Sequence, residues 1–326
     1  MEFLPDFSHI YVENRVANLD ITKKILSKFK KSEIIYINHY KDKFNSYAQN
    51  FRTQKYSQKL ILAKKDSPFL YKTSMLIQKQ DESFLYTPMM LNCIYDCHYC
   101  FLQGMYPSAN MVVFVNIEDF FAEVDKILQK NSLFLSISYD TDLLAVESIF
   151  GFAKMWIEFA KSRNNLRIEI RTKSININNL DLNHNVILSF SLSPQEIIDK
   201  YELKTPSLKQ RIKAIKKVIN KGYKPSIAID PIIKILNYKK IYRKFVENLF
   251  NEIDYRDIDS IIIGSFRMNS TQFKNIKKTG LISDIFYDEY DVRNKIVKYK
   301  DDKEIVEFVK NLLPNVKIID LEEIYE

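Results

Sequence analysis

The segment from Asn92 to Asn116, NCIYDCHYCFLQGMYPSANMVVFVN, contains all three cysteines of the chain. Cys93, Cys97 and Cys100 follow the spacing C-x3-C-x2-C. Three thiolates on one short loop can bind three irons of a 4Fe-4S cluster, because soft sulfur ligands favour such centres. Since the sequence has no fourth cysteine, one iron is left open for a ligand that the protein does not supply.

An open iron is the arrangement of radical S-adenosylmethionine (SAM) enzymes, in which SAM binds that iron. Two other interpretations use the same residues. A zinc ion would need four ligands with His98 as the fourth, but His98 lies inside the cysteine loop, where joint chelation is awkward. Alternatively, the cysteines are buried apolar residues, with Tyr99 and Phe101 as core aromatics. The spacing, with an aromatic residue before the last cysteine, favours the cluster.

The composition fits an intracellular enzyme. With 326 residues, 46% of them hydrophobic, the chain can bury a large core. Clustered cysteines are typical of a reducing compartment, and the apolar runs are too short to span a membrane. We therefore expect a cytoplasmic protein with no membrane partner. The net charge of +8 fits a polyanionic partner such as DNA, although a chain rich in Lys, Asn and Ile reaches this charge without one.

The residues before the cysteines have a mixed α/β pattern. Alternating apolar residues predict short strands, and apolar residues at helical spacing predict one helix. The strands are expected at 8–14, 32–38, 59–63 and 84–86, and the helix at 20–30. We interpret 1–88 as an N-terminal extension of a larger unit.

Strands and helices alternate after the cysteine loop. Repeated βα units predict a parallel sheet with covering helices. About six units suit a partial (β/α) barrel, whose active site lies at the carboxyl ends of the strands. Ser207 is well placed to cap one helix, and Gly222 to end it. The strands are expected at 112–116, 133–138, 166–170, 186–190, 226–229 and 260–264, and the helices at 117–130, 144–162, 207–222 and 239–251.

Polar residues follow several of the predicted strands. Because these strand ends share one mouth of the barrel, their side chains would surround one site. They offer a carboxylate, a lysine and hydroxyls for SAM, although Asp and Ser after strands often cap the next helix instead. The residues are Tyr139, Asp140, Thr141, Asp142, Arg171, Thr172, Lys173, Ser174, Ser191, Ser193, Asp230, Ser265 and Arg267.

Several motifs resemble the spore photoproduct lyase family of radical-SAM enzymes. They are CHYCFLQG with VVFVN after it, RTKS, FSLS, the segment YELKTPSLKQRIKAIKKVINKGYKPSIAIDPII and the amino-terminal IYVENRVANLDITKKILSKF. The resemblance covers nearly the whole chain. It implies an α/β fold, with a partial (β/α)6-type TIM barrel over 89–265. The α/β extension over 1–88 precedes this barrel, and a DNA-facing region over 266–326 follows it.

The resemblance also implies an activity and its cofactors. The family cleaves a UV-induced, methylene-bridged thymine dimer in DNA, using a 4Fe-4S cluster and SAM to make a 5′-deoxyadenosyl radical. An electron donor such as a flavodoxin or ferredoxin would reduce the cluster. Carried onto this sequence, the cluster ligands are Cys93, Cys97 and Cys100, and the SAM contacts are Lys173 for the carboxylate, Thr141 and Asp142 near the ribose, and Ser191.

Two positions depart from the family at the step that returns a hydrogen atom to the thymine radical. Where the family has the donor cysteine, this chain has Tyr139. The family's tyrosine after the third cysteine is replaced by Phe101, whereas Tyr99 matches the aromatic residue before that cysteine. Tyr139 and Tyr99 are therefore the candidate catalytic residues, with a phenol in place of a thiol. Asp230 also replaces a small residue of the family.

The C-terminal part is basic and rich in tyrosine. By resemblance to the family's DNA-facing region, Arg267 and Arg293 would hold phosphates and Tyr299 would support an unstacked lesion, although the same pattern fits a solvated face. Two further functions stay open. One is a radical-SAM enzyme for another nucleic-acid lesion or modified base, and the other is a non-catalytic iron-sulfur DNA-binding or sensor protein. Release of 5′-deoxyadenosine separates the enzymes from the sensor.

Overall fold

The structure, a computed structural model, describes residues 5–72 and 83–324. Its larger sheet, which we call the barrel sheet, has seven strands, and every neighbouring pair is parallel. Helices connect most successive strands, as in a partial (β/α) barrel, whereas the described residues 173–185 between Leu166–Thr172 and Val186–Ser191 contain no helix. The strand order across the sheet is Ile318–Asp320, Ile261–Ser265, Ser226–Ile232, Val186–Ser191, Leu166–Thr172, Leu133–Ser136 and Ser83–Tyr86.

A second sheet has five strands, three of which come before the barrel strand Ser83–Tyr86 in the chain, and we call it the N-terminal sheet. Its order is Glu33–Ile37, His9–Glu13, Leu60–Ala63, Met111–Phe114 and Met90–Leu91, with the last pair antiparallel. The strand predicted at 112–116 was expected to open the barrel series, but it pairs here instead. Conversely, Ser83–Tyr86 pairs with Leu133–Ser136 in the barrel sheet. Sequence periodicity identifies a strand but does not identify the distant strand with which it pairs. The domain boundaries at 88 and 265 stay a prediction.

Four of the five helices predicted above form at the expected positions, and several short helices that were not predicted lie between them. The helix predicted over 144–162 is broken at Gly151, whose φ of 71° interrupts it. Ser207 caps its helix with a complete capping box, as predicted. The helices are Asp20–Leu26, Lys41–Phe44, Phe51–Tyr56, Leu102–Met105, Ile117–Leu128, Glu147–Phe150, Phe152–Lys161, Gln195–Tyr201, Leu208–Asn220, Tyr238–Glu252, Ser270–Lys278, Asp302–Lys310 and Leu321–Ile324.

The C-terminal part forms a small antiparallel sheet of three strands, Arg267–Asn269, Ile296–Tyr299 and Tyr290–Arg293. The last two strands make a hairpin, which we call the C-terminal hairpin. Its turn places Asn294 and Lys295 in the left-handed region, as a tight hairpin turn requires. Within the described ranges, no helix has the length and apolarity that crossing a bilayer requires.

Candidate functional site

The carboxyl ends of the barrel strands enclose a cavity of about 260 Å³. Every predicted cluster and SAM residue lines it, together with Tyr99, Tyr139 and Arg267 from the other predicted groups. Arg293 and Tyr299 lie elsewhere, on the C-terminal hairpin. The predicted residues on the cavity wall are Cys93, Cys97, Tyr99, Cys100, Tyr139, Thr141, Asp142, Arg171, Thr172, Lys173, Ser191, Asp230 and Arg267, whereas Asp140, Ser174, Ser193 and Ser265 do not line it.

The cysteine loop is held on one side by the segment that follows the helix Gln195–Tyr201. Cys97 pairs with Glu202 in a short antiparallel ladder, and the His98 N–H donates to the carbonyl of Tyr201 at 2.8 Å. This contact joins residues about a hundred positions apart, so the loop geometry depends on the barrel being folded.

The N-terminal part holds the opposite side of the loop. Arg52 makes a bidentate ion pair with Asp96, at 2.6 and 3.1 Å. The buried ammonium of Lys55 and the amide of Gln58 both donate to the carbonyl of Cys93. These contacts fix the backbone on which the thiols stand.

The three thiols are free and lie in a site of low polarity. Burial raises the pKa of Cys93 to about 11 and also raises the pKa values of Cys97 and Cys100. A bound iron would reverse this shift, because a coordinating metal deprotonates a thiol outright. The N–H of Tyr95 already points at the Cys93 sulfur at 3.4 Å, as a donor to a thiolate would.

The same thiols do not converge on one point. Among residues 5–72 and 83–324, no group of three or more His, Cys, Asp or Glu side chains could hold a single metal ion. Zinc would need its ligands about 2.0–2.3 Å from a common centre. A 4Fe-4S cluster instead takes each thiolate on a different iron, and three cysteines that line one cavity supply the three sulfur ligands it needs.

Thr141 and Asp142 differ in what they can offer a ligand. The buried Thr141 hydroxyl has no hydrogen-bond partner within the described part of the chain. Both carboxylate oxygens of Asp142 are engaged, by the Thr172 hydroxyl at 2.7 Å, the Lys173 N–H at 2.6 Å and the Ala145 N–H at 3.2 Å. Asp142 thus also caps the turn that follows it, and burial raises its pKa despite these donors.

A buried ion pair organises the wall around Lys173. The Lys173 ammonium lies 5.6 Å from the centre of the Tyr99 ring, and the Tyr99 hydroxyl donates to Glu202. Glu202 also accepts from Arg211 at 2.5 Å and from the Ser193 hydroxyl at 2.9 Å. Burial opposes the charge on Lys173, but Glu202 keeps the pKa of this lysine above its ordinary value. The sequence analysis missed the Glu202–Arg211 pair, because nothing in the local pattern joins the two residues.

Asp230 lies between two arginines. It accepts from Arg171 at 3.1 Å and from Arg267 at 2.8 Å, and Arg171 also reaches Glu169 at 3.2 Å. The carboxylate that departs from the family is therefore neutralised by its neighbours. Gly264 makes this arrangement possible, because a Cβ there would lie 2.6 Å from the Arg267 Nη1.

Tyr139 and Phe101 are the two residues that differ from the family at the hydrogen-return step, and both line the cavity. The Tyr139 ring lies 5.5 Å from Phe101 and 4.4 Å from Tyr86, measured between ring centres. The contact between Tyr86 and Tyr139 could not be predicted from the sequence, because it depends on the pairing of Ser83–Tyr86 with Leu133–Ser136.

The predicted substrate residues of the hairpin have different environments. Arg293 is exposed and pairs with Asp291 at 3.1 Å. Tyr299 is fully buried, stacks on Tyr290 at 5.2 Å, and its hydroxyl accepts the Lys234 N–H at 3.2 Å. Tyr299 therefore supports the hairpin from inside and presents no face to a ligand.

The fold and the site define a partial (β/α) barrel of the radical-SAM type, with a three-cysteine loop at its mouth. A family model described as spore photoproduct lyase matches residues 3–313. The chain belongs to the spore photoproduct lyase family, as its motifs predicted.

Curated relatives and solved structures agree with this assignment. A spore photoproduct lyase of Geobacillus is 25% identical over 181 residues, 53% of either chain, and that of Clostridium acetobutylicum is 25% identical over 199 residues, 58% of this chain and 59% of the relative. The alignments thus span little more than half of these relatives' length. A spore photoproduct lyase complexed with dinucleoside spore photoproduct has a TM-score of 0.78 at 20% identity, covering 98% of this chain and 99% of that one. A mutant with bound AdoMet and the same dinucleoside has a TM-score of 0.76 at 19% identity, with the same coverage. These structures share the fold, which confirms the predicted class.

Proposed function

We propose that this chain is a radical-SAM lyase that cleaves a methylene-bridged thymine dimer in DNA. The observation that carries the proposal is the single cavity that three cysteine thiols share with Thr141, Lys173 and Ser191. Family membership supports it, and so do the AdoMet and dinucleoside spore photoproduct that solved relatives bind.

The residues present fit the two cofactors. Cys93, Cys97 and Cys100 would hold a 4Fe-4S cluster through three irons. The unpartnered hydroxyl of Thr141 and the ammonium of Lys173 would bind polar atoms and the carboxylate of SAM, with Ser191 and Asp142 as further contacts. When bound, the cluster and SAM supply a carbon radical that abstracts a hydrogen atom from the substrate.

The chain's own residues would then bind the substrate and complete the reaction. Tyr139, which lines the cavity, would return a hydrogen atom, and Arg267, which also lines it, would approach a phosphate. The exposed Arg293 would hold DNA from the hairpin. We also infer a low-potential electron donor, such as a flavodoxin or ferredoxin, and a reducing compartment such as the cytoplasm, since free clustered thiols persist there.

The test is an anaerobic assay of the reconstituted, reduced protein with SAM and a dinucleotide carrying the methylene-bridged thymine adduct. Thymine release and 5′-deoxyadenosine are followed together. Restored thymines are expected. Deoxyadenosine without restored thymines would redirect the proposal to another lesion or modified base, and no deoxyadenosine would indicate a non-catalytic protein.

A further inference from the structure

Three tyrosine rings lie in series from the cavity wall outward. Tyr139 lines the cavity, and its ring lies 4.4 Å from that of Tyr86 at an angle of 32°. Tyr86 in turn stacks on Tyr71, with ring centres 5.5 Å apart and an angle of 28°. All three side chains are half-buried, so the series has both a cavity end and a side open to solvent. We call these residues the tyrosine stack.

The backbone fixes the order of the tyrosine stack. Tyr71 and Tyr86 exchange two N–H to carbonyl bonds, each of 2.9 Å, across an antiparallel bridge. Tyr86 ends the strand Ser83–Tyr86, which pairs with the strand Leu133–Ser136 that precedes Tyr139. Tyr71 and Tyr86 are thus held by a hydrogen-bonded bridge and strand, whereas Tyr139 lies three residues beyond the end of its strand.

The neighbours of Tyr139 differ in chemistry. Phe101, 5.5 Å away toward the cysteine loop, has no hydroxyl and cannot carry a hydrogen atom. Tyr86, on the other side, has a phenol, and burial raises its pKa, so this phenol keeps its proton at neutral pH. At the far end, the Tyr71 hydroxyl donates to the Pro68 carbonyl and accepts from the Lys65 ammonium, both at 3.0 Å. A phenol that keeps its proton is the group a hydrogen-atom transfer needs.

We propose that Tyr86 is a second hydrogen carrier, which restores Tyr139 after each reaction and passes the radical away from the cysteine loop. This inference rests on the proposed function. It adds a catalytic residue and a direction in which the radical moves. The radical passes from the substrate to Tyr139, from Tyr139 to Tyr86, and from Tyr86 toward Tyr71 and the surface, while hydrogen atoms move in the opposite direction.

Each step balances. The substrate radical left after the bridge breaks takes the hydrogen of the Tyr139 hydroxyl, so a C–H bond forms and an O–H bond breaks. The Tyr139 phenoxyl takes the hydrogen of the Tyr86 hydroxyl. The Tyr86 phenoxyl is reduced by one electron, from the same low-potential flavin or iron-sulfur donor that the proposed function requires, and gains one proton from solvent.

This direction of transfer has a stoichiometric consequence. Since the hydrogen atom that restores Tyr139 comes from the stack, no hydrogen atom is taken back from 5′-deoxyadenosine. Each repaired lesion should therefore release one 5′-deoxyadenosine and consume two electrons. A return path through the cofactor would release far less than one 5′-deoxyadenosine per lesion.

The experiment compares the reconstituted full-length protein with Tyr139→Phe, Tyr86→Phe and Tyr40→Phe variants, using SAM and the adduct dinucleotide. Tyr40 is the matched control, because its ring packs on Phe44 and Phe114 outside the tyrosine stack. Freeze-quenched samples are examined by electron paramagnetic resonance, with ring-deuterated tyrosine to identify tyrosyl radicals. Loss of adduct, thymine and 5′-deoxyadenosine are counted in the same samples.

We expect a tyrosyl radical in the wild type, and none in Tyr139→Phe. Tyr86→Phe should keep a normal first turnover and accumulate a long-lived Tyr139 radical. The rate of its later turnovers should fall about tenfold, which corresponds to an activation free energy raised by about 1.4 kcal/mol. Tyr40→Phe should match the wild type.

Three results would overturn the inference while the proposed function stands: adduct loss without a tyrosyl radical, a Tyr86→Phe variant equal to the wild type, or equal losses in Tyr86→Phe and Tyr40→Phe. Failure of the wild type to consume the adduct would overturn the proposed function and this inference with it.

Discussion

The cysteine loop and the C-terminal hairpin were both assigned functional residues from sequence, yet they are built differently. The loop is clamped from two sides, by the ladder to Glu202 and by the ion pair between Arg52 and Asp96. On the hairpin, Arg293 faces solvent while Tyr299 is buried. The loop residues that would hold a cofactor are thus fixed by several contacts, whereas on the hairpin only Arg293 of the two predicted substrate residues is exposed to a ligand.

The largest expected effect is at the loop. Cys97→Ala should remove the brown 4Fe-4S absorbance of the reconstituted protein and all 5′-deoxyadenosine formation, because three irons need three thiolates. His98→Ala is the matched control within the loop and should keep both. A Cys97→Ala protein that retained its cluster absorbance, or a His98→Ala protein that lost it, would contradict the ligand assignment.

The buried Glu202–Arg211 ion pair beside the loop should matter more than an exposed ion pair of similar length. Glu202→Gln leaves the fully buried Arg211 without its carboxylate, and we expect unfolding free energy to fall by about 3–5 kcal/mol. Glu252→Gln breaks the exposed pair with Lys216, at 2.8 Å, and should cost less than about 1 kcal/mol. Urea unfolding of both variants measures the difference. Equal losses of unfolding free energy in the two variants would show that the buried Glu202–Arg211 pair stabilises the fold no more than the exposed pair does.

The stability of the protein should depend on pH through Asp140, which follows the strand Leu133–Ser136. Burial raises the pKa of Asp140 to about 7. The folded state therefore keeps a proton on this carboxyl that the unfolded chain loses at about pH 4. Stability should therefore fall as pH rises between these values, by up to about 1.4 kcal/mol per pH unit for this group. Asp140→Asn should remove that part of the slope. Glu147, whose pKa is also raised to about 7, supplies a second part that the variant retains. An unchanged slope in Asp140→Asn would mean that this carboxyl ionises normally.

The smallest effects are expected at the hairpin, and they should separate its two faces. Arg293→Ala should weaken DNA binding several-fold and lower the salt dependence by about one phosphate contact. Tyr299→Phe leaves the Lys234 N–H without its acceptor and should cost about 1 kcal/mol of stability, with DNA affinity unchanged. Filter binding at two salt concentrations and urea unfolding measure the two effects. A Tyr299→Phe variant with weaker DNA binding would restore Tyr299 as a substrate contact.

Sequence alone predicted the features that local patterns determine. The order of strands and helices was accessible, and nine of the thirteen polar residues expected after the strands do line one cavity. Features that depend on pairing between distant segments were not accessible. These include the sheet to which Met111–Phe114 belongs, the Glu202–Arg211 pair and the contact between Tyr86 and Tyr139. The burial of Tyr299 was missed because a basic, tyrosine-rich stretch suggested an exposed face, while the structure packs Tyr290 and Tyr299 against each other and Tyr299 against Phe266.

Gly264 has a consequence for how this family can diversify. A Cβ there would lie 2.6 Å from Arg267, 3.1 Å from Asp230 and 3.3 Å from Leu321, so a larger residue would have to displace the Arg267 guanidinium from its pair with Asp230. Removing the Asp230 carboxylate releases Arg267 and opens that space. Positions 230, 264 and 267 should therefore covary among homologues, and chains with a small residue at position 230 should tolerate alanine or serine at position 264.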